Sequence, residues 1–386
     1  MEKKYAFHPK DYEIGETEQF YTDMAAKGWR LTKRGAILSR FSPDGNCAMQ
    51  YRVDTASPKE LEKRKAGFEE QGWEYVTGHG CIHIFCVPKS RGVTALYPQP
   101  RKQADTLKPL RKQYVSALLQ PLICVFFLIL LWNVSYAVVG QGHFHVEFYR
   151  IWVEETALSA GFASFLLWSV YSNIRGIWHI GRLRRYMERG ISPDHPSVPA
   201  HPILRFTDRT LILCTVMLGG LALFQRIGRL TYDMPSQSDG PYILLSDMGV
   251  TGQRNQSFVT NRSSQVVYDQ SLLAEHWDTF ETVEADGKEL WMYQDVYHLK
   301  YGGMAIPLMN SLMMDATFAK LPADFIAQDI PGLDYAWTGQ RLECIAVSGD
   351  MVYYVTYPFH DHGEMISALN AIAVKCSYLP RPMEGS

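Results

Sequence analysis

The chain has little net charge, few cysteines for its length and no apolar stretch near its start, and each shortage excludes something. With 38 Lys+Arg against 40 Asp+Glu the formal net charge is -2, so the electrostatic footprint of a nucleic-acid partner is missing and none is expected. Met1 to Pro9 is polar and charged with no apolar core behind it, so no cleavable signal peptide is expected and the first apolar segment must serve as the targeting signal. The seven cysteines include no paired C-x-x-C spacing, which removes the commonest zinc and redox signatures. Nucleophile elbow, phosphate loop and dinucleotide fingerprint are all absent. No cofactor is expected, and the chain reads as non-enzymatic.

What the chain does have is a block of apolar segments between residues 114 and 227. Tyr114 to Val139 runs 26 positions without a charge, Thr156 to Ile174 runs 19, and Thr210 to Gln225 runs 16. A helix rising about 1.5 Å per residue needs roughly 20 apolar residues to cross a hydrocarbon core of about 30 Å. The expectation is a three-helix transmembrane block with spans 114–139, 154–174 and 206–227, the shortest of which needs Arg226 to snorkel. In the second, Ser159, Ala160, Gly161, Ala163 and Ser164 are small residues at helical spacing that admit a close neighbour.

Charge placement orients the block. Residues 1 to 114 carry 20 basic against 14 acidic residues, residues 115 to 227 carry 9 against 6, and residues 228 to 386 carry 9 against 20. Arg101, Lys102, Lys108, Arg111 and Lys112 precede the first span, and the 175–205 loop is rich in arginine, whereas the connection from Gly140 to Glu155 holds only Arg150. By the positive-inside rule the N-terminus and the 175–205 loop lie in the cytoplasm and residues 228–386 outside it, giving a multi-pass cell-membrane protein. Within the loop, Ile177, Trp178, Ile180, Leu183, Tyr186 and Met187 alternate with Arg182, Arg184, Arg185 and Arg189, as in a basic amphipathic helix resting on anionic headgroups.

The flanking regions read as α+β soluble domains. In residues 1–90 a helix from Glu16 ends at Gly28, strands over 36–41 and 47–54 form a hairpin across Ser42 to Asn46, and a capping box at Ser57-Pro58-Lys59-Glu60 opens a second helix ending at Gly72. Residues 73 to 87 return to strand. Met24 to Trp29 echoes Phe68 to Trp73 at an offset of 44, so Gly28, Trp29, Gly72 and Trp73 are expected to do equivalent structural work at two helix-to-strand junctions. Two such halves suggest a ferredoxin-like βαββαβ domain. Residues 91–113, with Pro98, Pro100 and Pro109, read as a linker. In 228–386, a strand over 290–301, a hairpin around Ser348-Gly349-Asp350 and a helix over 361–376 make a second α+β domain.

The Gly28-Trp29 step, Tyr51-Arg52-Val53-Asp54 and Gly72-Trp73-Glu74, ahead of membrane helices, resemble the bacterial domain-of-unknown-function family 2812 over about the first 100 residues. The resemblance brings no catalytic set. It implies a regulated membrane protein of unassigned biochemical role.

Candidate ligands are few. His79, Cys81 and His83 alternate along one strand ahead of Cys86. His143, His145 and Glu147 share an i, i+2, i+4 spacing, and His360, Asp361, His362 and Glu364 cluster before the last helix, so either set could hold a divalent metal. Cys344 and Cys376, both in the region assigned outside, either form a disulfide or stay buried thiols. The sequence therefore points first to a sensory or regulatory membrane protein with the lipid bilayer and an unknown protein on either side as partners. A metal-binding or metal-sensing outer domain is the alternative, and a small transporter subunit comes third.

Overall fold

The computed structural model describes residues 3–44, 48–92, 96–97, 99–139, 144–189, 202–237, 240–254, 263–285, 287–314, 325–339, 343–358 and 360–378. The chain divides into two compact units, one of residues 1–126 and 165–212, the other of 127–164 and 213–386.

The first unit is built on a duplication. Strand β1 (Lys4–Phe7), helix α1 (Ile14–Ala26), β2 (Trp29–Arg34) and β3 (Leu38–Pro43) are followed by β4 (Met49–Thr55), α2 (Pro58–Glu70), β5 (Glu74–His79) and β6 (Ile82–Pro88). The first half forms a three-stranded antiparallel sheet in the order β1-β3-β2 and the second repeats it as β4-β6-β5. The likeness reaches local irregularities. Pairing of β2 with β3 slips between Leu31 and Lys33, and pairing of β5 with β6 slips between Tyr75 and Thr77, the same offset of 44. Gly28 and Gly72 both sit at positive φ, 79° and 91°, where a left-handed residue ends the helix and a Cβ would be strained.

This corrects the ferredoxin-like reading. Each half is βαββ with its own sheet, because the stretch from 73 to 87 is two strands rather than one. Gly80, at φ 60°, turns the chain so that His79 pairs with Ile82 across a two-residue connection. The hairpin expected across Ser42 to Asn46 is likewise overturned, since β3 pairs with β1 and β2 while β4 pairs with β6. Residues 45–47, with Cys47, lie outside the described residues.

Helix α1 seals the free edge of β4. Glu18 accepts from the amide of Val53 at 2.9 Å and from Arg52 Nη1 at 3.1 Å, and Thr22 Oγ1 accepts from the amide of Tyr51 at 3.3 Å, so edge amides that would invite another strand are satisfied in place. The expected capping box opens α2, with the Ser57 amide donating to Glu60 Oε2 at 3.0 Å. The linker reading of 91–113 also changes: α3 (Pro100–Val139) starts at Pro100 and contains Pro109 and Pro121. Proline is tolerated in the first turn, and Ala104, Leu107 and Leu110 then fall on one face, buried in the core with Tyr21, Phe41 and Tyr51. Ile180, Leu183 and Met187 of α5 (Thr156–Glu188) enter the same core, so the apolar side of the stretch expected on headgroups packs on protein.

In the second unit an antiparallel sheet runs β11 (Phe325–Gln328), β12 (Tyr335–Gly339), β13 (Glu343–Ser348), β14 (Met351–Thr356), β10 (Lys288–Leu299), β9 (Ala274–Ala285), β8 (Gln265–Gln270), β7 (Leu230–Asp233). Both faces are covered. Met292, Val296, Cys344, Ala346, Tyr353 and Val355 point into a core with α8 (His362–Tyr378), whose Met365, Leu369, Ile372 and Cys376 form the expected apolar stripe. Tyr297, Leu299, Ile345, Val347 and Val352 point the other way, into a core with Val153 of α4 (Phe144–Glu154) and with Leu308, Met309 and Leu312 of α7 (Ala305–Met314). Strict alternation along β13 and β14 divides the side chains between two buried faces, which is why their sequences are nearly all apolar.

Among the described residues two helices, not three, are long and apolar enough to cross a membrane: α5, with a window of mean hydropathy 1.2, and α6 (Pro202–Gly228), with one of 1.7. The segment that looked shortest belongs to the more apolar of the two. The apolar half of the expected first span, in α3, falls largely on side chains outside the described residues. Where the two apolar helices cross, the small residues act as expected: a Cβ added at Gly161 would meet Leu218 Cβ at 3.3 Å, and Thr215 Oγ1 donates to Ser164 Oγ at 3.1 Å.

Candidate functional site

The most concentrated chemistry in the second unit lies where α4 crosses β9 and β10. The register places His276 opposite Tyr297 and Asp278 opposite Asp295, so the alternating residues Tyr293, Asp295 and Tyr297 share one face with His276. Asp295 is 1% exposed. It accepts from His276 Nε2 at 2.8 Å, from the Tyr293 hydroxyl at 3.1 Å and from Arg150 Nη2 at 3.3 Å. Arg150 Nε also donates to Glu154 Oε1 at 2.8 Å, one helical turn on, and Tyr297 donates to that same oxygen at 2.6 Å. The His276 ring stacks on Tyr297 with centroids 4.4 Å apart and planes 10° from parallel.

The buried Asp295 is thus neutralised by His276 and by a half-buried Arg150 that also pairs with Glu154, the condition under which buried charge is tolerated. Burial disfavours the His276 cation, but the Asp295 hydrogen bond and charge outweigh it and hold the ring above its ordinary 6.5. Burial disfavours the Asp295 carboxylate, and Arg150 with His276 outweigh that and hold it below 3.8. Stability from protonated His276 is therefore fully present below 6.5 and lost as pH rises through the raised value, whereas that from Asp295 is present above 3.8 and lost as pH falls through the lowered one. The sheet domain should be most stable between 3.8 and 6.5. In thermal unfolding across pH, His276→Gln should flatten the alkaline loss and soften the acid one, which Arg150 still sustains; an unchanged alkaline limb would refute the assignment.

A cavity of about 10 Å³ lined by Glu154, Asp269, Ser271, Ala274 and His276 adjoins the cluster. It is about the size of one water. The site can store a proton and clamp a helix to a sheet. The sequence marks Arg150 as the lone basic residue of its connection but gives no sign of its partners beyond an aspartate between two tyrosines at period two in β10.

The same clamp extends to the apolar helices of this unit. Gln225 Nε2 donates to the Glu154 carbonyl at 2.6 Å, and Arg226 pairs with Glu155 at 2.8 Å. Arg226, expected to snorkel, has a carboxylate partner.

The first unit has a comparable joint. Lys10 Nζ lies 2.6 Å from Asp208 Oδ2, and Trp168 Nε1 donates to Asp208 Oδ1 at 3.2 Å. Arg175 Nη2 reaches Glu13 at 3.3 Å while its Nη1 donates to the Leu204 carbonyl at 3.4 Å. Tyr12 lies between the two cations, with Lys10 and Arg175 at 5.9 and 5.7 Å from its ring centroid. These contacts fasten the segment leading into α1 to α5 and α6.

The Tyr51-Arg52-Val53-Asp54 run proves structural residue by residue. Tyr51 is buried and its hydroxyl accepts from the Leu31 amide at 3.4 Å; Arg52 pairs with Glu18; Val53 is core. Asp54 accepts from Tyr97 at 3.0 Å and from Arg64 at 3.3 Å.

Among the described residues the candidate metal ligands are not brought together. His360 and His362 are exposed at the start of α8, where the His360 amide donates to Glu364 at 2.7 Å and the Glu364 amide donates to Asp361 at 2.9 Å, as helix-capping contacts. His143 lies outside the described residues, as do the side chains of His145 and Glu147 in α4. His83 is buried with Nε2 donating to the Ala56 carbonyl at 3.2 Å. Among the described residues no three His, Cys, Asp or Glu side chains converge in metal-ligand geometry. Cys344 and Cys376 carry free thiols; Cys376 donates to the Tyr353 hydroxyl at 3.5 Å, and burial pushes the Cys344 thiol up to about 12.

Residues 13–119 match the family described as Protein of unknown function (DUF2812). The DUF2812 match opens just before α1, takes in both Gly-Trp steps and the Tyr51 to Asp54 run, and continues into α3 past Ala104, Leu107 and Leu110, whose burial shows why that stretch belongs with the domain. Neither a curated protein nor a solved structure matches the chain.

Proposed function

We propose that this is a non-enzymatic membrane protein of sensory or regulatory type, in which α5 and α6 cross the bilayer and link an extracytoplasmic sheet domain to a cytoplasmic DUF2812 domain. One observation carries the reading: helix α6 is gripped by polar contacts at both of its ends, and α5 by one at Arg175. Asp208 of α6 is held by Lys10, and Gln225 and Arg226 of the same helix are held at Glu154 and Glu155. Arg175 of α5 is held by Glu13. A displacement of α4 on the sheet would therefore be felt by a helix whose other portion is fixed to the segment leading into α1.

The surface of the helices supports the membrane part. Leu213, Val216, Met217, Phe224 and Ile227 are between 58% and 74% exposed, a density of outward-facing hydrocarbon that water disfavours and lipid accepts. The arginine bias of the 175–205 loop supports the orientation.

The test is topology joined to motion. In a cysteine-free background, an impermeant thiol reagent should label Asp350→Cys in intact cells and Asn46→Cys only after permeabilisation. Hydrogen exchange of α1 should then change in Arg226→Gln. Labelling of both positions only after permeabilisation, or exchange in α1 indifferent to Arg226, would sink the proposal.

A further inference from the structure

Near the C-terminal end of α5, five side chains recur at 178, 182, 185, 186 and 189, spacings of four, three, one and three that keep them on one helical face. They are Trp178, Arg182, Arg185, Tyr186 and Arg189, and they line a cleft of about 240 Å³. The guanidinium of Arg182 is 5.7 Å from the centroids of both Trp178 and Tyr186, and its Nη2 donates to the Tyr186 hydroxyl at 3.5 Å. Arg185 is anchored by its Nε to the Gly181 carbonyl at 3.3 Å.

Among the described residues the charge on this face has no carboxylate partner. Arg184, on a neighbouring face, pairs with Glu188 at 2.7 Å, but among the described residues no carboxylate pairs with Arg182, Arg185 or Arg189. Like charges three and four residues apart repel. The helix dipole relieves part of that repulsion near a C-terminus, yet it does not explain the aromatic walls or a Trp178 that is 54% exposed. The opposite face of the helix is taken, since Ile180, Leu183 and Met187 are buried in the core of the DUF2812 domain. The arginine face is thereby aimed away from that core, with Trp178 about 6 Å and Arg189 about 22 Å of helix beyond Ile174, the last residue of the uncharged run.

We propose that Arg182, Arg185 and Arg189, framed by Trp178 and Tyr186, bind the phosphate headgroup of an anionic phospholipid of the cytoplasmic leaflet. Guanidinium forks match phosphate oxygens in pairs, and they are held better by stacking on rings than a flexible ammonium would be. Trp and Tyr are the residues that settle at headgroup depth. The inference rests on the reading of α5 as a membrane helix, and it refines a diffuse basic surface into one site with a defined occupant.

The test uses the full chain purified in a zwitterionic detergent. Titration with dioleoylphosphatidylglycerol, followed by native mass spectrometry, should show a saturable lipid adduct that dioleoylphosphatidylcholine does not form. The triple variant Arg182→Gln, Arg185→Gln, Arg189→Gln should weaken that adduct at least tenfold, and Arg184→Gln should leave it unchanged. If the triple Gln variant fails to fold, the triple Lys variant, which keeps the charge and loses the fork, should bind several-fold more weakly than the parent. Equal binding by parent and triple variant would overturn the proposal, as would inorganic phosphate displacing the lipid at equal concentration, which would assign the cleft to a free anion. Recovery of the parent chain in the aqueous phase after alkaline extraction of membranes would overturn the membrane reading itself. Membrane retention without phosphatidylglycerol selectivity would overturn only the lipid site.

Discussion

Asp295→Ala is expected to destabilise the sheet domain by about 1–3 kcal/mol, because it strips the shared acceptor from a buried cluster and leaves the His276 and Tyr293 donors without it. Asp295 is 1% exposed and meets Arg150, His276 and the Tyr293 hydroxyl. In the variant, Arg150 keeps Glu154, but His276 loses the partner that holds its ring protonated and should revert toward a neutral imidazole. Asp295→Asn keeps the shape and one acceptor while losing the charge, so its cost should be smaller. Near-ultraviolet circular dichroism during denaturant unfolding of the detergent-solubilised chain reads the effect, since Tyr293 and Tyr297 are in the cluster. An alanine variant with the parent's midpoint would show that the cluster stabilises nothing.

The second large effect belongs to the duplicated junctions, which look equivalent in sequence and are not. Trp73 is 1% exposed and packs with Phe68, Phe85 and Val87, so Trp73→Ala should cost about 3–5 kcal/mol through lost transfer energy and the cavity left behind. Trp29 is only partly buried, with Lys4 Nζ lying 5.1 Å from its ring centroid. Trp29→Ala should cost about 1–2 kcal/mol, from area alone. Trp73→Phe should be milder than Trp73→Ala, because it keeps a ring and removes an indole N–H that has no acceptor among the described residues. Equal losses at the two tryptophans, measured as shifts in the unfolding midpoint of the full chain, would contradict the difference in packing.

The asymmetry has a structural origin. In the first half α1 leans across to β4, with Glu18 and Thr22 bonding its edge amides. Helix α2 instead packs over its own sheet, where Phe68 meets Phe85 edge to face at 5.1 Å. A duplicated sequence therefore gives two copies of one local fold in two different environments.

Much of this was legible along the chain because it depends on neighbours in sequence. The capping box at Ser57, the left-handed glycines, the apolar stripe of α8, the small-residue face around Gly161 and the offset of 44 are local, and each appears in the structure. The errors were also of one kind. Pro98, Pro100 and Pro109 suggest a linker where a helix in fact begins at Pro100. The 73–87 run was read as one strand because a single glycine turn leaves little trace in the apolar pattern, and the 42–46 turn was read as a hairpin because adjacent strands usually pair.

The sequence by itself determined the local periods of α1, α2, α8 and the apolar helices, where caps and left-handed turns fall, that the N-terminal domain is doubled, and that α5 and α6 are apolar enough for a bilayer. Only the tertiary structure decided that β3 and β4 part into separate sheets and that α3 begins as core. It also decided that Arg150 meets Asp295 across 145 positions. Caps and periodicity are fixed by energies between residues a few positions apart, whereas strand partners and buried ion clusters are chosen among many distant alternatives by burial and charge neutralisation, which exist only once the chain has closed on itself.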